Sequence, residues 1–238
     1  MKKKHEILRR YFREYLLTRC KYPKQEKFRL AVVDGFSGAG LYECGNFGSP
    51  LIFIDGLLKA AIEINTEREN QDLKPILIEC LLVFNDRDPK VIGQLKQNIA
   101  PLLLQVEAFE HLQIETNFHS SIFETVYPQI KQRLLAARCR NVFFNLDQCG
   151  YSHVTSDIIR NIVSSWNSAE ILLTFLIESL LTFLSPNNNT NGVPLEPEMS
   201  NKINELLRDK EQLIGKKRMA GRSRNDCFFH SKKLLYLR

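Results

Sequence analysis

The 238-residue sequence has no C-x-x-C pair: its six cysteines (Cys20, Cys44, Cys80, Cys139, Cys149 and Cys227) are scattered. Neither a zinc site nor a disulfide framework is expected from that spacing, and no metal is assigned. A reduced compartment, read here as cytoplasmic, is the simplest setting for such cysteines. The basic start has no continuous apolar core of the signal-peptide kind. Membrane-length apolar runs are missing too, since the most apolar stretch, 169–184, is short and carries Glu170 and Glu178. What remains is ordinary for a globular chain. At 44% hydrophobic and 25% charged residues, it can bury a full core in one domain or one and a half.

The net charge of +6 hides an asymmetry. Residues 1–30 hold 11 Lys/Arg against 3 Asp/Glu, residues 202–238 hold 11 against 4, and the stretch between holds 11 against 20. Basic ends around an acidic body suit a polyanion such as nucleic acid. A solvated helix face with a loose tail is the plain alternative.

The stretch that organises the chain is RLAVVDGFSGAG, residues 29–40. Residues 30–33 are apolar and rich in β-branched side chains, which predicts a buried strand. Asp34 ends it, and Gly35, Gly38 and Gly40 follow with Phe36 among them. A strand running into a glycine-rich turn opens the ligand crevice of a Rossmann-like sheet. A phosphate loop offers bare N–H groups to an anion, whereas a carboxylate here repels phosphate and suits an ammonium. That favours a nucleoside cofactor without phosphates, of which S-adenosylmethionine is the example. The spacing G-x-x-G-x-G is also not the dinucleotide G-x-G-x-x-G, which ranks a nicotinamide-dependent oxidoreductase low. A tight turn without a ligand is the other reading.

Along the chain, residues 5–17 have an apolar stripe at helical spacing. A loop at 41–47 precedes a helix expected to start with Ser49 as N-cap and Pro50 in its first turn and to run to about Glu63. Residues 66–74 read as a surface loop. A second strand at 79–85 ends in Asp86, a ribose ligand in the Rossmann plan or else a turn residue. Asp88 then caps a helix at 89–104. A third strand, 112–117, leads to His119, which is assigned no role, and to Ser121, which either meets an adenine edge or, with Ser120, caps the helix at 122–137. The fourth strand, 141–146, opens into Asp147-Gln148-Cys149-Gly150-Tyr151-Ser152-His153. Here Asp147 is the candidate catalytic residue, to orient or deprotonate an acceptor, with Gln148 and Tyr151 as substrate contacts. Cys149 has no basic cluster to activate it, and His153 reads as a helix-start residue. A helix at 158–166, a strand at 171–175 and a helix at 178–184 follow. Beyond them come an Asn/Pro-rich loop, a charged helix at 201–215 and a basic tail. Two further strands are expected in such a sheet. Phe228-Phe229 and residues 234–237 are the candidates.

Four segments in this order resemble the three-Cys-motif partner family, a group of Rossmann-like methyltransferase-type proteins: KHEILRRYFREYL, VVDGFSGAGLYECGNFGSPL, LVFNDRDP and NLDQCGYSHV. They span residues 4–185, and D-G-F-S-G-A-G-x-Y with G-S-P is the most specific part. The resemblance implies a class I methyltransferase fold, a mostly parallel sheet with helices on both faces. It also implies a pocket for S-adenosylmethionine, with cofactor roles for Asp34, Gly35, Phe36, Gly38, Gly40 and Asp86. It further implies a three-cysteine-motif protein as partner. The family's fourth-strand motif is usually D-P-F-G, and here it is Asp147-Gln148-Cys149-Gly150. That departure leaves two readings, an active methyltransferase and a catalytically silent binding or scaffold module. The expected organisation is a helix and basic loop (1–28), the Rossmann-like domain (29–184) and a C-terminal extension (185–238).

Overall fold

A computed structural model of the chain describes residues 2–147, 154–174 and 234–237. Five strands run parallel: β1 (Lys27–Asp34), β2 (Leu77–Asp86), β3 (Leu112–Ser120), β4 (Asn141–Leu146) and β5 (Ser168–Thr174). Their order in the sheet is β3-β2-β1-β4-β5, and β6 (Leu234–Leu237) adds antiparallel to β5. The helices are α1 (Lys2–Arg19), α2 (Ser49–Asn70), α3 (Pro89–Glu107), α4 (Phe123–Ala136) and α5 (Ser156–Ser165). This is the Rossmann-like α/β architecture expected from the sequence, a mostly parallel sheet with helices on both faces. The chain winds outward from β1 to β3, then returns to the other side of β1 with β4. The two halves part between β1 and β4, and ligands of such sheets bind at the carboxyl ends of the strands on either side of that parting.

Both faces of the sheet are covered, as near-continuous apolar strands require. Leu30 and Val32 point to a layer built with α1, α2 and α3, while Ala31 and Val33 point to a layer with α4 and α5. On the first face, Phe12 of α1 meets Phe53 of α2 edge-on at 5.0 Å and Phe143 of β4 at 5.4 Å. The aromatic stripe of α1 is therefore core packing, and α1 lies on the sheet beside α2.

Several boundaries differ from the sequence reading, each for a local reason. Helix α2 begins one residue early, with Gly48 as N-cap and Ser49 already helical, because Gly48 N–H donates to Gly40 O across the neck of the 41–47 loop. It also runs on to Asn70, through part of the expected surface loop. Arg68 is only 4% exposed there, and it donates to the carbonyls of Lys74, Tyr22, Pro23 and Gln25 at 2.7–3.1 Å. Helix α4 is N-capped by Ile122 without a side-chain bond, so neither Ser120 nor Ser121 caps it, and Pro128 lies inside the helix. Asp88 caps α3 as expected, accepting from Lys90 N–H at 2.8 Å. The strand at 234–237 is present. Phe228-Phe229, the helices at 178–184 and 201–215 and the Asn/Pro-rich loop lie outside the described residues. Among the described residues, no helix is long and apolar enough to cross a membrane.

Candidate functional site

The carboxyl ends of β1, β2 and β4 are joined by two asparagines that the sequence reading missed. Asn85 is 1% exposed; its Nδ2 donates to Gly35 O at 3.1 Å and to Ser121 O at 3.0 Å. It thereby ties the turn after β1 to the turn after β3. Asn145, 2% exposed, donates from Nδ2 to Asp34 Oδ1 at 3.0 Å. A signal for both was present, since each is an amide within an apolar run, following phenylalanine in VFN and FFN. A buried amide needs partners, and the nearest polar groups are the neighbouring strand ends.

Asp34 is fully buried at the centre of this network. Burial pushes its carboxyl up to about 6, against the pull of Ser49, Asn145, the Phe36 N–H and the Lys4 charge. By geometry only Asn145 bonds it, through Oδ1; Ser49 and the Phe36 N–H lie close enough to act on the carboxyl, but Oδ2 makes no hydrogen bond of good geometry, and neither does Asn85 Oδ1. Two acceptors are thus buried without donors at the ends of adjacent strands, and the register, with Asp34 opposite Phe84, places them on opposite faces of the sheet. Unmet acceptors of this kind are costly and call for an explanation.

The three glycines of the turn do different work. Gly35 N–H donates to Asn145 O at 3.0 Å, and a Cβ on Gly35 would come within 2.9 Å of the Phe123 ring. Gly40 has φ +76, and a Cβ there would meet Leu51 at 2.6 Å and Leu95 at 2.7 Å, so this glycine serves both the turn and close packing. Gly38 has φ +60 with open space where a Cβ would lie. Only Gly38 leaves bare backbone facing free volume. Phe36 packs its ring against Phe123, with centroids 5.7 Å apart.

Asp86 sits at the rim, partly exposed. It accepts from Gly38 N–H at 3.0 Å through Oδ2 and from Asp88 N–H at 3.1 Å through Oδ1. Each oxygen keeps a lone pair for a further donor. Ser121 N–H donates to Asp86 O at 3.1 Å. Asp34, Gly35, Phe36, Gly38, Gly40, Asp86 and Ser121 are therefore brought together by one strand-end network. Asp147 lies just beyond β4 and forms an ion pair with Lys4 of α1. Gln148, Cys149, Tyr151 and His153 lie outside the described residues. Among the described residues, no cluster of His, Cys, Asp and Glu could hold a metal. Burial raises the thiols of Cys20, Cys80 and Cys139, so none of these is an activated nucleophile.

At this strand end Asp34 Oδ2 makes no hydrogen bond, Gly38 leaves the turn open and Asp86 has lone pairs at the rim, groups suited to a ligand that brings an ammonium and hydroxyls. No family model matches the chain, and no curated protein does. A crystal structure described as a candidate protein-L-isoaspartate O-methyltransferase from Plasmodium falciparum, in complex with S-adenosyl-L-homocysteine, is similar at 13% identity and a TM-score of 0.31. The similarity covers 68% of this chain and 58% of that one. A likeness at that level adds nothing to the assignment, which rests on the strand order.

Proposed function

We propose that the chain binds S-adenosylmethionine at the carboxyl ends of β1 and β2 and is a methyltransferase-type protein of the three-Cys-motif partner kind. The observation that carries this reading is the buried Asp34 carboxyl, whose Oδ2 makes no hydrogen bond, at the end of β1 beside the open Gly38 turn. Asp34 takes the ammonium of the amino-acid end, Asp86 the ribose hydroxyls and Ser121 the adenine side. Gly35 and Gly40 hold the turn's shape, and Phe36 lines it. When bound, S-adenosylmethionine supplies an electrophilic methyl on a sulfonium sulfur. The protein's part is to present an acceptor in line with it. Asp147 orients that acceptor or takes its proton, with Gln148 and Tyr151 as further acceptor contacts.

A second reading, the silent binding or scaffold module with a three-cysteine-motif protein as its partner, is favoured by one observation. The Asp147 carboxylate is engaged by Lys4 instead of standing open. Asp147→Ala separates the two readings. In an active enzyme the variant loses turnover on any acceptor that wild type methylates, while affinity for S-adenosylhomocysteine stays within about twofold. A variant that also loses cofactor affinity gives Asp147 a structural role instead.

Nucleic acid as the acceptor rests on the basic ends. Within residues 1–30, Lys4, Arg9, Arg13, Lys27 and Arg29 are all in ion pairs with acids of the body. The free positive charge of that end is smaller than the sequence count, which weakens the nucleic-acid proposal.

A further inference from the structure

The first turn of α1 lies over the candidate pocket. Lys4 pairs with Asp147 at the end of β4, and both side chains are 27% exposed. The Lys4 charge also reaches Asp34 at the end of β1, where it favours the anion. The Lys4 ammonium is thus paired with Asp147 and reaches Asp34 through its charge alone; Asp147 lies two residues beyond Asn145, which bonds Asp34. The next residue, His5, holds its ring 5.4 Å from that of Tyr42 in the 41–47 loop, and Arg9 stands 5.6 Å over Phe47 of the same loop. The deep anchors of α1, from Leu8 through Phe12 to Leu16, begin one turn later. The first turn is fastened by partly exposed polar contacts, while the rest is fastened by core.

Resting on the binding reading above, we propose that Lys4, held by Asp147, is a resident counter-charge at the pocket and sets its selectivity: its charge acts on Asp34, the carboxylate that a ligand's ammonium must reach. A ligand with an amino-acid end must bring its ammonium to Asp34 against the Lys4 charge. A nucleoside that lacks that end, such as 5′-methylthioadenosine, does not meet this competition. Partly exposed ion pairs are individually modest, so Lys4 can yield without unfolding the helix.

The test compares Lys4→Met, which keeps the length of the side chain and removes its charge, with wild type in the full chain. Calorimetric titration with S-adenosylhomocysteine should show affinity tightened about three- to tenfold in the variant. Affinity for 5′-methylthioadenosine should change less than about twofold. Lys4→Gln should repeat the pattern, which guards against an effect of the methionine itself. Unchanged affinity for S-adenosylhomocysteine overturns the proposal and leaves the pocket standing. Weakened affinity also overturns it, making Lys4 a ligand for the carboxylate of the amino-acid end. Failure of both ligands to bind folded wild type and folded variant removes the pocket, and the proposal with it.

Discussion

At the scale of single residues, Asp34 is the most consequential side chain. Its carboxyl is pushed from the ordinary 3.8 to about 6 by complete burial. Between those values the folded chain keeps a proton that the unfolded chain has released. Stability therefore falls as pH rises through that window, and the loss persists above it, amounting to on the order of 3 kcal/mol. Asp34→Asn cannot ionise, so its unfolding free energy should gain about 2–3 kcal/mol on wild type between pH 4 and pH 7. Urea denaturation at both pH values measures the gap, and a gap that does not change with pH would mean the carboxylate is already compensated. The same unmet charge is what a bound ammonium would satisfy. Asp34, Asp86 and the glycines were legible in the sequence because strand ends and turns leave short-range marks. Asn85, Asn145 and Lys4 were not assigned, since their roles depend on which strands end side by side. Asn145 reaches Asp34 across 111 positions and Lys4 reaches Asp147 across 143.

At the scale of elements, the helices and strands among the described residues follow the order read from the sequence, and their ends are set by tertiary contacts. The sequence reading stopped α2 near Glu63 because the residues beyond are polar. The helix continues because Arg68, although charged, is buried by the carbonyls it serves. This arginine fastens the end of α2 to the 22–25 loop that feeds β1, and so helps to hold the strand that carries Asp34. Arg68→Met keeps the stem and removes every one of those bonds. It should cost about 3–4 kcal/mol, read as a lower urea midpoint with an unchanged slope. A loss below about 1 kcal/mol would mean that water replaces the guanidinium without penalty. Strands β1 and β2 extend beyond the sequence reading at both ends for a related reason, whereas β4 has the bounds read from the sequence. Lys27 looks like a loop residue in sequence, yet it extends β1 and pairs with Glu79 of the adjacent parallel strand.

At the scale of the molecule, the strand order, the antiparallel sixth strand and the parting between β1 and β4 place one strand-end crevice where the glycine turn, Asp86 and Asp147 converge. Charge is distributed less simply than the sequence suggests, because α1 spends part of its positive charge on Asp55, Glu63 and Asp147 of the body. The central claim is that this crevice takes S-adenosylmethionine. Its most direct measurement is calorimetric titration of the folded full chain with S-adenosylhomocysteine, on wild type and on Asp86→Ala. The account predicts saturable one-site binding to wild type and at least about a tenfold loss in the variant, since a carboxylate accepting from ribose hydroxyls is worth roughly 1.5–3 kcal/mol. Absence of binding to folded wild type at millimolar ligand, or equal affinity in the two proteins, would contradict it.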